Sequence, residues 1–293
     1  MITKRPVVAA GFLLPSIVIY GLLLLYPLFS GLWLSLTDSR GGPRSDFVGA
    51  EQYVRMASDS EVWRALGVTL AYALIVVVLQ NLLGLLFARA LYHRPRIRKV
   101  VSVLIMLPTL VAPVMASLIF SAIYAPDGAL NSLLRALGLD AFTRIWLGDP
   151  QTALWAIALV NIWMFAGYSA AIFLAGYLAL PGDVLEAADL DGASGWRRFR
   201  AIEWPLLAPA LTVNITLALI GSLKVFEFPL IMTNGGPAGA TTTLTMLIYR
   251  KVFGNAGEFA YGITIAVLLL VVVVVCSTAV TAILRRREEG MGI

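Results

Sequence analysis

Two sets of residues in this 293-residue chain are spaced to do chemistry. The first lies in segment 181–205, where Asp183, Glu186, Asp189, Asp191 and Glu203 stand beside Arg197, Arg198 and Arg200. Grouped carboxylates at a membrane face suit a metal or acid–base site, but such a site also calls for histidine. The chain holds one histidine, His93, and one cysteine, Cys276, so no His/Cys metal cluster can be assembled. The acids recur at helical spacing instead, which fits charged contacts along a helix better than catalysis. Cys276 sits in an apolar run and reads as small filler. The second set is uncharged: Gln80, Asn81, Asn161, Tyr168, Ser169, Asn214 and Ser222 interrupt long apolar stretches. An amide or hydroxyl in hydrocarbon needs a partner, so these side chains face other helices or a wet cavity. Asn161 and Tyr168 are seven apart, which at about 100° per residue puts them on one helix face together with Met164. Lys224 and Glu227, three apart, are expected to form a structural ion pair on one helix face.

Apolar elements must carry these groups. The chain is 59% hydrophobic and 13% charged, with a mean hydropathy of +0.86, whereas soluble domains run at about 25% charged. Seventeen acids and 22 bases cannot clothe a soluble protein of this size, so a soluble globular fold, a disordered chain and a nucleic-acid binder are excluded. Six charge-free runs of 32, 24, 27, 33, 20 and 26 residues begin after Arg5, Arg64, Lys99, Asp149, Glu203 and Glu258. Each exceeds or matches the roughly 20 residues that cross a bilayer as helix. They predict an all-α membrane protein, one domain over 1–293, with helix cores near 9–31, 66–90, 101–124, 153–178, 206–228 and 260–283. A further gap between Glu227 and Arg250 holds Asn234-Gly235-Gly236-Pro237 and three threonines, and reads as a loop. The first run is too long for a signal-peptide core and is expected to be retained.

Lys and Arg set the orientation. Lys4, Arg5, Arg89, Arg94, Arg96, Arg98, Lys99, Arg197, Arg198, Arg200, Arg285, Arg286 and Arg287 fall on one side, with seven acids. The other side has eight bases and nine acids. The basic side is expected in the cytoplasm, with both termini there, as an even number of spans requires.

Segment 181–205 reads as an elbow. Pro181 and Gly182 end the preceding helix, and Asp183 caps a short one with Glu186 completing a capping box. Ala187 and Ala188 leave a low profile against a partner. Gly192 stops that helix, Ser194 starts a second, and Pro205 closes it. A simple connector between helices needs only about 2–8 residues.

The string Glu186-Ala187-Ala188, with Asp191-Gly192-Ala193 and then Ile202 and Pro205, resembles the EAA loop of the membrane subunits of binding-protein-dependent ABC importers. Trp204 stands where that pattern usually has leucine. Tyr124-Ala125-Pro126-Asp127-Gly128, Trp146-Leu147-Gly148 and Asn234-Gly235-Gly236-Pro237 are similar to the sugar-importer branch, so the resemblance covers nearly the whole chain. It implies a six-span, type I importer-like permease in the inner membrane. It implies that Glu186, Ala187, Ala188, Asp189, Asp191, Gly192, Ala193, Ile202 and Pro205 couple the chain to an ATPase, with Glu186 making a charged contact. Glu186 capping its own helix is the plainer alternative. No G-x-x-x-x-G-K-[ST] loop occurs, so the chain is expected to be non-catalytic and to bind no cofactor, ATP and Mg²⁺ being used by a separate ATPase dimer. A second homologous permease and an extracytoplasmic solute-binding protein are the other implied partners, with lipid around the spans. In related sugar importers the pathway runs between the fourth and fifth spans, so Asn161, Met164, Tyr168 and Ser222 are the candidate pathway residues, helix packing being the alternative for each. The implied cargo is a sugar or oligosaccharide. Glycerol-3-phosphate or a glycerophosphodiester is the nearest alternative. An ion-coupled transporter is a distant one, because no acid sits at the centre of a span.

Overall fold

The computed structural model describes residues 6–42, 44–254 and 257–290, so Lys4 and Arg5 of the basic set lie outside the described residues. Those residues form helices and one isolated bridge, Thr37 to Phe47. Four helical stretches are long and apolar enough to cross a membrane, and two sharply bent helix pairs raise the number to six. The chain divides into two compact units, 1–62 with 247–271 and 63–246 with 272–293.

In the first unit, α1 (Pro6–Tyr20) and α2 (Tyr26–Leu34) are joined by a π turn, Gly21–Leu25. Pro27 cannot donate to the carbonyl four residues back, and the Tyr26 N–H reaches five back to the Gly21 carbonyl, absorbing the misfit. The short α3 (Glu51–Ser58) follows. Its Arg55 pairs with Glu258 and lies 4.0 Å over the ring of Tyr261. The Tyr261 hydroxyl donates to Asp59 at 2.6 Å, and Lys251 lies 3.0 Å from Glu258 and 3.6 Å from Glu61. Burial pushes the Asp59 carboxyl up, but the hydrogen bonds from Tyr261 and the Glu61 backbone, with Lys251 and Arg55 nearby, hold it below the usual carboxylate range. Glu258 is likewise raised by burial and lowered further by Arg55 and Lys251.

The second unit takes in most of α4 (Ser60–Tyr92), then α5 (Pro95–Met106), α6 (Pro113–Ile123), α7 (Ala129–Ala136) and α8 (Ala153–Leu178). After α8 come α9 (Gly182–Leu190), α10 (Gly195–Arg198), α11 (Trp204–Leu206), α12 (Ala208–Leu223) and α13 (Glu227–Thr233). The helices α14 (Leu244–Phe253) and α15 (Phe259–Gly290) complete the chain. Close crossings hold α8 in place. A Cβ on Gly167 would sit 1.9 Å from the Ile105 carbonyl oxygen, and one on Gly84 2.6 Å from Ser169 Cβ. Both positions therefore admit only glycine without a shift of backbone or packed side chain.

Five expectations are corrected here. The helix expected over 101–124 is broken at 107–112, where Pro108 and Pro113 remove donors and the pair bends by 92°. The one expected over 206–228 ends at Leu223, so Lys224 caps α12 while Glu227 opens α13. The two are thus on different helices and no ion pair joins them. Pro205 does not close the elbow: a π turn, Phe199–Glu203, carries the helix through it, and the chain bends by 70° at Leu207, just before Pro209. The stretch 227–250, expected to be a loop, is a loop only over 234–243, between α13 and α14.

Candidate functional site

A cavity of about 400 Å³ lies within the second unit. Its walls come from α4 (Val76, Gln80), α8 (Asn161, Phe165, Tyr168) and α12 (Asn214, Leu217, Ser222). The remaining wall is irregular backbone at the two helix breaks, with Thr109 and Pro113 at one and Lys224, Val225 and Glu227 at the other. Backbone that leaves the helix inside a membrane protein is tolerated where it is buried or lines a wet space, which explains why both breaks face this cavity.

Hydrogen bonds fix the walls. Gln80 Nε2 donates to Ser169 Oγ at 2.8 Å, and Asn214 Nδ2 donates to the Ser169 carbonyl at 3.1 Å. One buried serine on α8 thus ties α4 and α12 together. Thr109 Oγ1 donates to the Met164 carbonyl at 2.9 Å and pins the 107–110 turn against α8. Asn81, by contrast, donates to Val77 on its own helix.

Of the pathway candidates, the structure brings Asn161, Tyr168 and Ser222 to the cavity wall. Tyr168 is 42% exposed, whereas Asn161 is buried, and the Ser222 hydroxyl donates to the Leu219 carbonyl of its own helix. Met164 does not line the cavity. It packs among Tyr72, Ala116, Ile157 and Phe228 in the core. Residues three and seven beyond Asn161 diverge by about 40° on a helix, and here the cavity wall runs along the seven-residue side.

The elbow has a different chemistry. α9 starts after Pro181 with no side-chain cap, so the Asp183–Glu186 capping box is corrected. Glu186 and Ala187 are exposed, Leu185 and Ala188 are buried, and the Glu186 side chain makes no hydrogen bond or ion pair among the described residues. Gly192 adopts φ +69°, with its N–H donated to the Asp189 carbonyl and the Ala193 N–H to the Ala188 carbonyl. This six-to-one pattern is a Schellman cap, whose left-handed residue favours glycine. Gly195 is also left-handed, at φ +56°. Asp189 pairs with Arg198, which joins the two short helices, while Asp191 lies exposed at the turn and Ile202 is partly buried.

Sequence reading grouped Glu203 with the other acids of the elbow and gave it no role of its own. Its side chain is 1% exposed, with Arg89 Nε at 3.4 Å, Arg198 Nε at 3.4 Å and His93 Nε2 at 3.9 Å. The Tyr177 hydroxyl donates to it at 3.3 Å. The available signal was its setting: a single acid flanked by Ile202 and Trp204 at the edge of a charge-free run.

The comparisons agree on one family. Residues 80–289 match the family described as binding-protein-dependent transport system inner membrane component. The trehalose/maltose transport system permease protein MalF of Thermococcus litoralis is 33% identical, over 87% of this chain and 86% of its own. The lactose transport system permease protein LacF of Rhizobium radiobacter is 30% identical, over 88% and 87%. A chain of a bacterial alginate ABC transporter, solved in complex with alginate pentasaccharide-bound periplasmic protein, has the same fold, with a TM-score of 0.84 at 22% identity over 97% of this chain and 96% of that one.

Proposed function

Because the chain belongs to the binding-protein-dependent transport system inner membrane components, multi-pass permease subunits of ABC importers, we propose that it conducts a sugar or oligosaccharide through the cavity between α4, α8 and α12. The cavity carries this reading. Its volume of about 400 Å³ suits one or two sugar units. Tyr168 and Phe165 offer flat apolar faces, and Asn161 and Thr109 offer hydroxyl partners. Two relatives named for maltose or trehalose and for lactose support the same class of cargo. Lys224 on the wall favours the second reading, a glycerol phosphate or phosphodiester, but Glu227 on the same wall opposes an anion.

Glu186 and Ala187 present an exposed face of α9 to an ATPase dimer, which would use ATP and Mg²⁺. Asp189, Asp191, Gly192 and Ala193 fix the turn behind that face, and Ile202 and Pro205 join it to α12. A second permease completes the pathway, a solute-binding protein delivers cargo from outside, and both termini face the cytoplasm. Co-purification with an ATPase and a second permease is the expected result. A panel of sugars and glycerol phosphates tested on the partner binding protein decides the cargo, and tight binding only to phosphorylated compounds would overturn the sugar reading. Introduced cysteines at 92–98 and 40–50 should label from opposite faces.

A further inference from the structure

We propose that Glu203 is a positioning residue for transport, an ionic latch that binds the elbow to α4 and α8, two of the three helices that wall the cavity. The inference rests on the reading of the elbow as the ATPase contact. A carboxylate removed from water is costly unless opposite charges surround it. Glu203 is 1% exposed, and its cations come from separate elements, Arg89 from α4 and Arg198 from α10, with the His93 ring 3.9 Å away just beyond α4. Tyr177, which donates to it, belongs to α8.

Further contacts extend the latch to both halves of the elbow. Arg89 Nη2 donates to the Gly195 carbonyl at 2.9 Å, and its guanidinium lies 4.5 Å over the ring of Phe199. Arg198 pairs with Asp189 on α9. The route from α9 to α4 therefore runs Asp189, Arg198, Glu203, Arg89. Both spanning helices then lead to the cavity. Gln80 lies nine residues before Arg89 and Tyr168 nine before Tyr177, a rise of about 14 Å in each helix. Both line the cavity wall.

The attraction does not depend on one rigid geometry. Glu203 Oε1, Arg89 Nε and Arg198 Nε are buried with no hydrogen-bond partner among the described residues, although each lies close to opposite charge. Coulomb attraction at 3.4 Å adds to the hydrogen bonds from Arg89 to Gly195 and from Tyr177 to Glu203 in holding the parts together.

The test uses the assembled importer with its ATPase, spin-labelled at Asp183→Cys on α9 and Ala90→Cys on α4 in a Cys276→Ser background. Pulsed-EPR distances are compared without nucleotide and after trapping with Mg-ATP and vanadate. With Glu203 present, the separation should change by less than about 2 Å, the scale of packed helix shifts. Glu203→Gln keeps the shape and loses the charge, and should let the two states differ by about one helical turn, ~5 Å. Glu203→Asp should restore the wild-type behaviour. If Glu203→Gln assembles poorly, the triple variant Glu203→Met, Arg89→Met, Arg198→Met fills the site without leaving a buried unpaired charge, Asp189 being exposed, and should give the same loosened separation. Wild-type distances in Glu203→Gln or in the triple variant overturn the latch, as does failure of all three variants to assemble. If trapping leaves the Asp183 label's mobility unchanged in the wild-type complex, the elbow reading itself fails, and the latch with it.

Discussion

The cavity and the elbow both lie where the chain leaves a regular α-helix, but they are secured by different forces. Around the cavity, Gln80, Ser169, Asn214 and Thr109 are joined by neutral hydrogen bonds, two of them to backbone carbonyls. At the elbow, Glu203, Arg89, Arg198 and Asp189 are joined by charge, and three of their buried atoms lack hydrogen-bond geometry. Neutral pairs are short-ranged and directional, so they fix a wall. Ion pairs reach further and tolerate reorientation, so they suit a part that transmits movement. The difference teaches that a fixed wall and a joint between helices are secured by different interaction types within a single unit of the chain.

The strongest way to break this comparison is to spoil the rigid side. Gly167→Leu drives a side chain into the Ile105 carbonyl, where a Cβ would already be 1.9 Å away. Overpacking costs about 1–3 kcal/mol where side chains can give way, and more where backbone must move. Membrane abundance is expected to fall at least tenfold by immunoblot. Gly221→Ala, at a cavity glycine with open space around it, should leave abundance unchanged. Equal abundance for both would show that the wall is not rigidly packed.

Gly192→Leu addresses the elbow. The position has room for a side chain, but its φ of +69° penalises one by about 1–2 kcal/mol. The strain is local to the elbow, so the protein should accumulate normally while ATP-driven uptake is lost. Uptake at the wild-type rate would remove the elbow from coupling.

A smaller effect is expected from Tyr168→Ala. Because Tyr168 is 42% exposed, truncation removes a cavity surface rather than a core side chain. Fully buried aromatics lose about 3–5 kcal/mol when cut to alanine, and this site should lose well under that. Uptake per assembled complex should fall several-fold at constant abundance. A normal value per complex would retire Tyr168 as a pathway residue.

The smallest effect sharpens the charge side of the comparison in the other unit. Asp59 and Glu258 have carboxyls held below their ordinary values by Tyr261, Arg55 and Lys251. Depressed carboxylates contribute stability above their unfolded pKa, about 4, and lose it as pH falls through the lower folded value. The apparent melting temperature of the purified protein should therefore hold steady from about pH 7 to 5 and decline below about 4. Lys251→Met lessens the depression and should make that decline smaller, and a decline of unchanged size would show that the cluster is not linked to folding.

Much of the architecture was legible because charge is costly in lipid, and charge-free runs therefore mark helices whatever their packing. The elbow's position and its Gly192 stop were legible for a related reason: a left-handed turn between charged helices leaves glycine and polar residues in the sequence. The bends were not, since run length says nothing about where Pro113 or Pro209 breaks the path. The burial of Glu203 was not legible, because it is created by Arg89 and Tyr177, more than 20 residues away in sequence. Met164 was misplaced because helical periodicity defines a face only to within a residue or so, and core packing chooses its centre.

The π turn Phe199–Glu203 fixes a phase as well as a path. It holds one residue more than an α-helical turn would, and each residue of an α-helix contributes about 100° of rotation. Deleting one residue there would leave both flanking segments helical while turning α10 by roughly that angle against α11. Arg198 would then face away from Glu203, so the length of this stretch is expected to tolerate substitution far better than a change in count.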